Sequence, residues 1–314
     1  MRISTNTIFS TGQARISDLQ SAQLKTQQQI ATGRKILTPA DDPIGASQVL
    51  NLDQGQSMNR QYAANRVNAG NALREQEGVL SSLGDLTQDM KTLLAQVDNG
   101  ALDDQQRGFL AVELDGQFNQ LLSLANSKDS LGNYLFSGFK TDTATYDQTA
   151  TGANFQGDTG LRTLQVDASR RLSTNITGAQ LFEAIDTGTA AAPGTVQNIF
   201  ATVRQLSDAL KSPATTAAGQ AALNSAGTAA GNALSTFLDR LLSARAAVGA
   251  QQKEIDALDA AGSARDLEYA QAKSTLQDVD YTQAISNLSQ QQTTLEAAMK
   301  SFKSVSELSL FQIM

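Results

Sequence analysis

The first residues able to do chemistry are Asp41 and Asp42. They lie in ATGRKILTPADDPIGAS, residues 31–47, a polar stretch with charges of both signs and two of the chain's four prolines. Paired carboxylates in a loop can hold a cation or share acid–base work. They can also cap a helix, with Asp42 at the N-cap, Pro43 at the first helical position and Asp41 favoured by the helix dipole. No third acidic ligand lies nearby, which favours capping. Asp103-Asp104 reads the same way. Asp278 and Asp280 either cap a helix or pair with Arg34 or Lys35, and the sequence leaves both open.

The rest of the inventory is thin in catalytic groups. Among 314 residues there is no His, no Cys and no Trp. The commonest acid–base catalyst, thiol nucleophiles, disulfides and the usual zinc ligands are therefore missing. No convergent carboxylate constellation replaces them, and the reading is a non-enzyme with no cofactor and no metal. Glycines punctuate the middle of the chain, but neither phosphate-loop pattern occurs. Net charge is -7, and no basic run or interleaved aromatic-basic patch appears, so nucleic acid is not an expected partner. No apolar run reaches the length of a membrane span, and the N-terminus lacks the apolar core of a cleaved signal.

The charge is uneven. Residues 1–60 hold six Lys/Arg against four Asp/Glu, and residues 281–314 balance two against two. The remainder then carries -9 (that is, -7 less +2). The two ends differ from the body and share a Gln-rich, low-charge style.

The elements are mainly helical. Ala, Gln, Leu, Ser and Thr dominate, and aromatics make up 5% of residues. A first helix from Gln13 to Thr32 carries Ile16, Leu19 and Ile30, with Ile16, Gln23 and Ile30 seven apart, and Gly33 stops it. Arg34 and Lys35 follow where the helix dipole favours cations. A second helix runs from Ile44 to about Asp98 and ends at Asn99-Gly100. A third, capped by Asp103 or Asp104, carries Phe109, Val112, Phe118, Leu121, Leu122 and Ala125. Between Tyr134 and Phe182 lie six of the 16 Phe and Tyr. Leu164, Val166 and Ala168 alternate, as do Leu172, Thr174 and Ile176, which predicts strands. GDTG at Gly157–Gly160 reads as the turn joining strands around Phe155 and Leu164. Asn175–Thr177 matches a glycosylation acceptor but reads as strand. Helix returns at Val196–Lys211 and Thr216–Leu258, and a last helical region follows Gly262.

That last region carries a seam. Ile285, Leu288, Gln292, Leu295, Met299 and Phe302 alternate steps of three and four, the rhythm of a coiled coil, and Ser306 and Ser309 continue it weakly. So few apolar side chains do not offset the entropy of ordering about 30 residues. The expectation is that this segment pairs with the N-terminal helix and with neighbouring chains, and orders on assembly. Contacts of this kind that do not close generate helical layers or filaments. The fold class is thus mainly α, a long helical bundle with a terminal coiled coil formed by both chain ends and a small β-rich insertion. The expected division is 1–42 plus 280–314 (axial), 43–135 plus 179–279 (helical body) and 136–178 (outer).

QQQIATGRKILTPADDPIGAS near the N-terminus and DVDYTQAISNLSQQQTTLEAAMKSF near the C-terminus resemble the flagellin superfamily of bacterial flagellar axial proteins. LGNYLFSGFKT in mid-chain resembles the members that join hook to filament. The resemblance covers nearly the whole chain. It implies an extracellular structural role in a layer between hook-associated protein 1 and flagellin, with a short flagellin as the alternative. It also implies export by the flagellar type III system without a cleaved signal, and a chaperone on the C-terminal segment. The implied assembly residues are Ile16, Leu19, Ile30, Ile285, Leu288, Leu295, Met299 and Phe302. Gly33, Arg34, Lys35, Asp41, Asp42 and Pro43 form the joint loop.

Overall fold

The computed structural model describes residues 2–97, 102–185, 197–213 and 216–311, with side chains given for Thr7 and from Phe9 to Val305 within that span. In order the elements are α1 (Arg2–Thr32), α2 (Pro43–Val97), α3 (Asp104–Ala125), β1 (Tyr146–Thr149), β2 (Gly152–Phe155), β3 (Thr163–Asp167), β4 (Arg170–Ser173), α4 (Gly178–Phe182), α5 (Ile199–Lys211), α6 (Ala217–Gln277) and α7 (Tyr281–Phe311). The expected helix stop at Asn99-Gly100 lies outside the described residues, as do the side chains of Ser306 and Ser309.

The chain forms two compact units. One runs to Asn59 and resumes at Ser263; the other is Arg60–Gly262. Helices α2 and α6 contribute to both. The boundaries fall inside these helices rather than at the loop of residues 33–42. Helix α6 also continues through Gly262, where the sequence placed a break. An interior glycine costs only about 1 kcal/mol against alanine, and Gly262 is buried. The interruption comes at Asp278–Asp280 instead, where the backbone turns to bond the loop after α1.

The larger unit is built on apolar residues at helical spacing. Leu73, Leu80, Leu83, Met90 and Leu93 of α2, Leu114, Phe118 and Leu121 of α3, and Leu234, Phe237 and Leu241 of α6 share one core. Its centre is aromatic. Phe200 lies 4.7 Å from Tyr146, 5.5 Å from Phe182 and 6.1 Å from Phe118, centroid to centroid. Helix α3 opens with a capping box: Gln106 N–H donates to Asp103 and the Gln106 side chain accepts from Asp103 N–H. Its buried face is Ala111, Leu114, Phe118, Leu121 and Ala125. That phase turns Phe109 and Val112 outward, 65% and 68% exposed.

The insertion contains two separate antiparallel hairpins, β1–β2 and β3–β4, the latter with a bulge between Gln165 and Asp167. Strands around Phe155 and Leu164 exist as expected, but they do not pair. Asp158 accepts from Phe139 N–H (2.9 Å) and Gly160 N–H (2.7 Å), folding the link back onto an earlier loop. The segment 136–178 packs against the helices. Tyr146, Ala153, Val166 and Leu172 belong to the helical core. Polar ties from α2 fix it further: Asn65 donates to Gln165 O (2.7 Å), Arg66 to Val166 O (2.9 Å) and Gln76 to Thr174 O (2.8 Å). Asn175 is buried and its side chain bonds Gly160 O and Arg162 N–H, so its amide nitrogen is not available as a glycan acceptor.

Candidate assembly surface at the paired chain ends

In the smaller unit α1 packs along α7. Among the half-buried and buried positions of α1, Gly12, Ile16, Leu19, Gln23, Thr26 and Ile30 step by four and three, and Gln29 is half-buried beside them. Those of α7 are Ala284, Leu288, Gln291, Leu295, Ala298 and Phe302, with the same rhythm. Both helices thus present a heptad seam. Phe302 closes one end, 4.9 Å from Phe9 by ring centroid. A Cβ on Gly12 would come within 2.8 Å of the Phe302 ring, so this close approach needs glycine.

The sequence-derived seam on α7 is therefore half displaced. Leu288, Leu295 and Phe302 face α1. Ile285 and Met299 do not: they are 57% and 43% exposed. Ala284, Gln291 and Ala298 take the inward places. One residue is 100° of helix rotation, so choosing the larger apolar neighbour rotates half the seam onto the outer face. Alanine and glutamine give little hydropathy signal; their seven-residue spacing was the available clue. The result is a second ridge, Ile285, Gln292 and Met299, outside the contact with α1. Phe9 and Leu24 on α1 are also exposed, 49% and 59%.

The joint loop is ordered by backbone pairing and two carboxylates. Gly33 ends α1 with φ +70°, a conformation that favours glycine. Val279 N–H donates to Gly33 O (3.0 Å) and Lys35 N–H to Gln277 O (2.6 Å), so Arg34 and Asp278 form a small antiparallel bridge. Arg34 and Lys35 leave their side chains exposed. Asp280 caps α7, accepting from Thr282 N–H (2.9 Å) and Gln283 N–H (3.1 Å). Asp42 caps α2, accepting from Gly45 N–H (2.9 Å), with Pro43 the first helical residue.

Asp41 does something else. Its carboxylate accepts from Leu37 N–H (3.1 Å) and Thr38 N–H (2.9 Å) and pairs with Lys25 of α1 at 2.6 Å. The hydrogen bond from Lys25, followed by that from Thr38, holds its pKa down at about 2. Asp41 is thus a staple between loop and axial helix. Among the described residues no cluster of three or more acidic groups is placed to hold a metal, and no helix is long and apolar enough to cross a membrane.

The architecture is thus one of paired helical chain ends, a mainly helical body and small inserted hairpins. A family model described as the bacterial flagellin N-terminal helical region matches residues 3–141. Over 317 residues the chain is 35% identical to flagellar hook-associated protein 3 of Escherichia coli K12, covering 100% of this chain and 99% of the relative. It is 36% identical over 320 residues to the protein of the same name from Salmonella typhimurium, with the same coverage. The chain belongs to the flagellar hook-associated protein 3 family, structural proteins of the bacterial flagellum. Solved structures share the fold. Flagellar hook-associated protein-3 of Legionella pneumophila has a TM-score of 0.66 at 20% identity, covering 74% of this chain and 98% of that one. FlgL of Xanthomonas campestris has a TM-score of 0.64 at 18% identity, covering 71% and 99%.

Proposed function

We propose that this protein forms the junction layer between hook and filament, contacting hook-associated protein 1 on one side and flagellin on the other. Self-association runs through the terminal helices, with residues 1–42 and 280–314 acting as the axial domain, 43–135 with 179–279 as the helical body and 136–178 as the outward part. The observation that carries this reading is the second apolar ridge of Ile285 and Met299, exposed on a helix whose other face already meets α1. A helix pair with apolar rows on two faces suits a layer in which each pair is flanked by others. The Asp41–Lys25 staple and the Asp42 cap make the loop the lock that fixes the axial helix to α2.

The same reading has the chain leave the cell through the flagellar type III channel without a cleaved signal, with an export chaperone on the C-terminal segment until assembly. A deletion strain tests the function. A normal hook with flagellin released into the medium is the expected result. Retention of a full filament, or unchanged motility, overturns it; loss of the flagellin subunit itself would make this chain the filament protein instead.

A further inference from the structure

The outer face of α3 is apolar where a surface helix is ordinarily polar. At about 100° per residue, Phe109, Val112 and Gly116 fall within about 60° of one another around the helix, opposite its buried face, and Glu113 stands at their edge. Phe109 and Val112 are exposed. A Cβ on Gly116 would meet no atom within 4 Å. Glycine inside a helix is unfavourable against alanine, and nothing in the chain's own packing asks for it here. Such a face suits the close approach of another backbone. Glu113 is exposed and, among the described residues, has no ion pair.

In the same compact unit, α2 and α6 leave an open cavity of about 300 Å³ between them. Val67, Gly70 and Ile255 give it an apolar lining, with Arg74 on the α2 side and Asp256 on the α6 side. Arg66 and Asp259, which also border it, neutralise each other. Arg74 is exposed. Its guanidinium donates to Asn71 of its own helix (2.7 Å) and, among the described residues, has no carboxylate partner. Gly70 lies 27 residues before the end of α2 at Val97 (97 less 70), about 40 Å of helical rise, whereas Phe109 follows that end. The ridge and the groove are therefore separate surfaces of one unit, and they match: apolar ridge with an anionic edge, apolar groove with a cationic edge.

We propose that the outer face of α3 in one copy docks in the α2–α6 groove of the next copy. Phe109 and Val112 enter the cavity, and Glu113 lies beside Arg74, on the side away from Asp256. Contact between two different surfaces is heterologous and links copies head to tail. The inference rests on the reading that the chain forms a layer, and it gives that layer a contact in the body besides the one through the terminal helices. Both surfaces belong to Arg60–Gly262, so the contact needs no order in α1 or α7 before assembly. One ridge in one small groove is well below the area of a stable interface. Free copies therefore stay apart, and the contact counts only where the terminal helices already hold neighbours together.

The chain has no cysteine, so Glu113→Cys and Arg74→Cys can be the only thiols of the full-length protein, supplied to the deletion strain. In isolated flagella a short bismaleimide should join the double variant into dimers, trimers and higher species of this chain alone. Each single variant should give none, and neither should the secreted, unassembled double variant. Independently, Glu113→Arg and Arg74→Glu should each cut the number of attached filaments at least tenfold, and together they should restore at least half. Both sites are exposed, so thermal unfolding of the purified chain should not change in either. No ladder in assembled flagella, a ladder from a single variant, a product that stops at the dimer or one that contains another flagellar protein would each overturn the proposal. So would single reversals without effect, or a double reversal no better than either single. Should the cysteine pair not assemble, the charge exchange decides alone. Failure here is distinct from failure of the junction reading. A deletion strain with a normal hook and released flagellin, alongside no ladder, removes the body contact and leaves the junction. Loss of the flagellin subunit alongside a ladder moves the contact into the filament.

Discussion

The tie between Arg66 and the β3–β4 hairpin gives a sharp test of how the insertion is held. Arg66 is 1% exposed, and its guanidinium pairs with Asp259 of α6 and donates to Val166 O at 2.9 Å. Removing one partner of a buried pair strands the other charge, which costs about 3–5 kcal/mol when both are buried. Asp259 is 45% exposed, so water reaches its side of the pair and the expected cost falls to about 2 kcal/mol for Asp259→Ala, the scale of one charge-assisted hydrogen bond. For the Arg60–Gly262 unit that corresponds to a fall in Tm of about 4–8 °C. Arg66→Met removes the charge itself and leaves Val166 O unpaired, at about 1–3 kcal/mol. The double variant should then be less destabilised than the sum by about 1–2 kcal/mol. Urea unfolding followed by tyrosine circular dichroism measures all three, there being no Trp to report by fluorescence. Additivity within about 0.5 kcal/mol would refute the argument that a buried unpaired guanidinium dominates the loss.

Ile285→Asp and Met299→Asp should leave monomer stability within about 0.5 kcal/mol, because both sites are exposed, yet abolish incorporation into the flagellum; equal loss of both would mean the ridge serves the monomer. Phe200→Ala should cost the body about 3–5 kcal/mol by thermal or urea unfolding, as the ring touches three other aromatics. The depressed pKa of Asp41, about 2 against an ordinary 3.8, contributes stability that is complete above about pH 4 and lost as pH falls towards 2. Lys25→Met should make that acid-side decline shallower, and identical profiles with and without Lys25 would remove the staple from the account. Charge reversal at Asp41 should impair assembly more than monomer unfolding, whereas equal losses would make the Lys25–Asp41 staple a feature of monomer stability alone.

Much of the fold is legible in the sequence. Gly33, Asp42 and Pro43 stop and start helices by local chemistry, and local chemistry is written in adjacent residues. Leu295 and Phe302 announce a seam because they are large and correctly spaced. The inward place of Ala284 over Ile285 was not legible, since only the position of α1 decides which of two neighbours one residue apart is covered. Phe109 and Val112 lie outward for the same reason: α3 takes its phase from Leu114 and Phe118. The Lys25–Asp41 pair spans a loop whose path had first to be known. Gly262 shows the limit of punctuation, because a glycine deep in a 61-residue helix with strong flanks does not end it. The hairpins were visible as strands, but their pairing was set by Asp158, whose carboxylate closes a turn with a residue on another loop.

The seam joins nearly the first residues of the chain to nearly the last. Phe9 and Phe302 meet across a separation of 293 positions. A chain that emerges in order, from either end, must present almost all of itself before that contact can form. Once the whole chain is present the distance itself is a small obstacle, since each doubling of a loop adds only about 0.6 kcal/mol to the cost of closure. Folding of the Arg60–Gly262 core, which gathers α2 and α6 into one cluster, shortens the effective loop further. Closing the seam therefore reports completeness. A truncated chain can display a folded body, but not the paired ends.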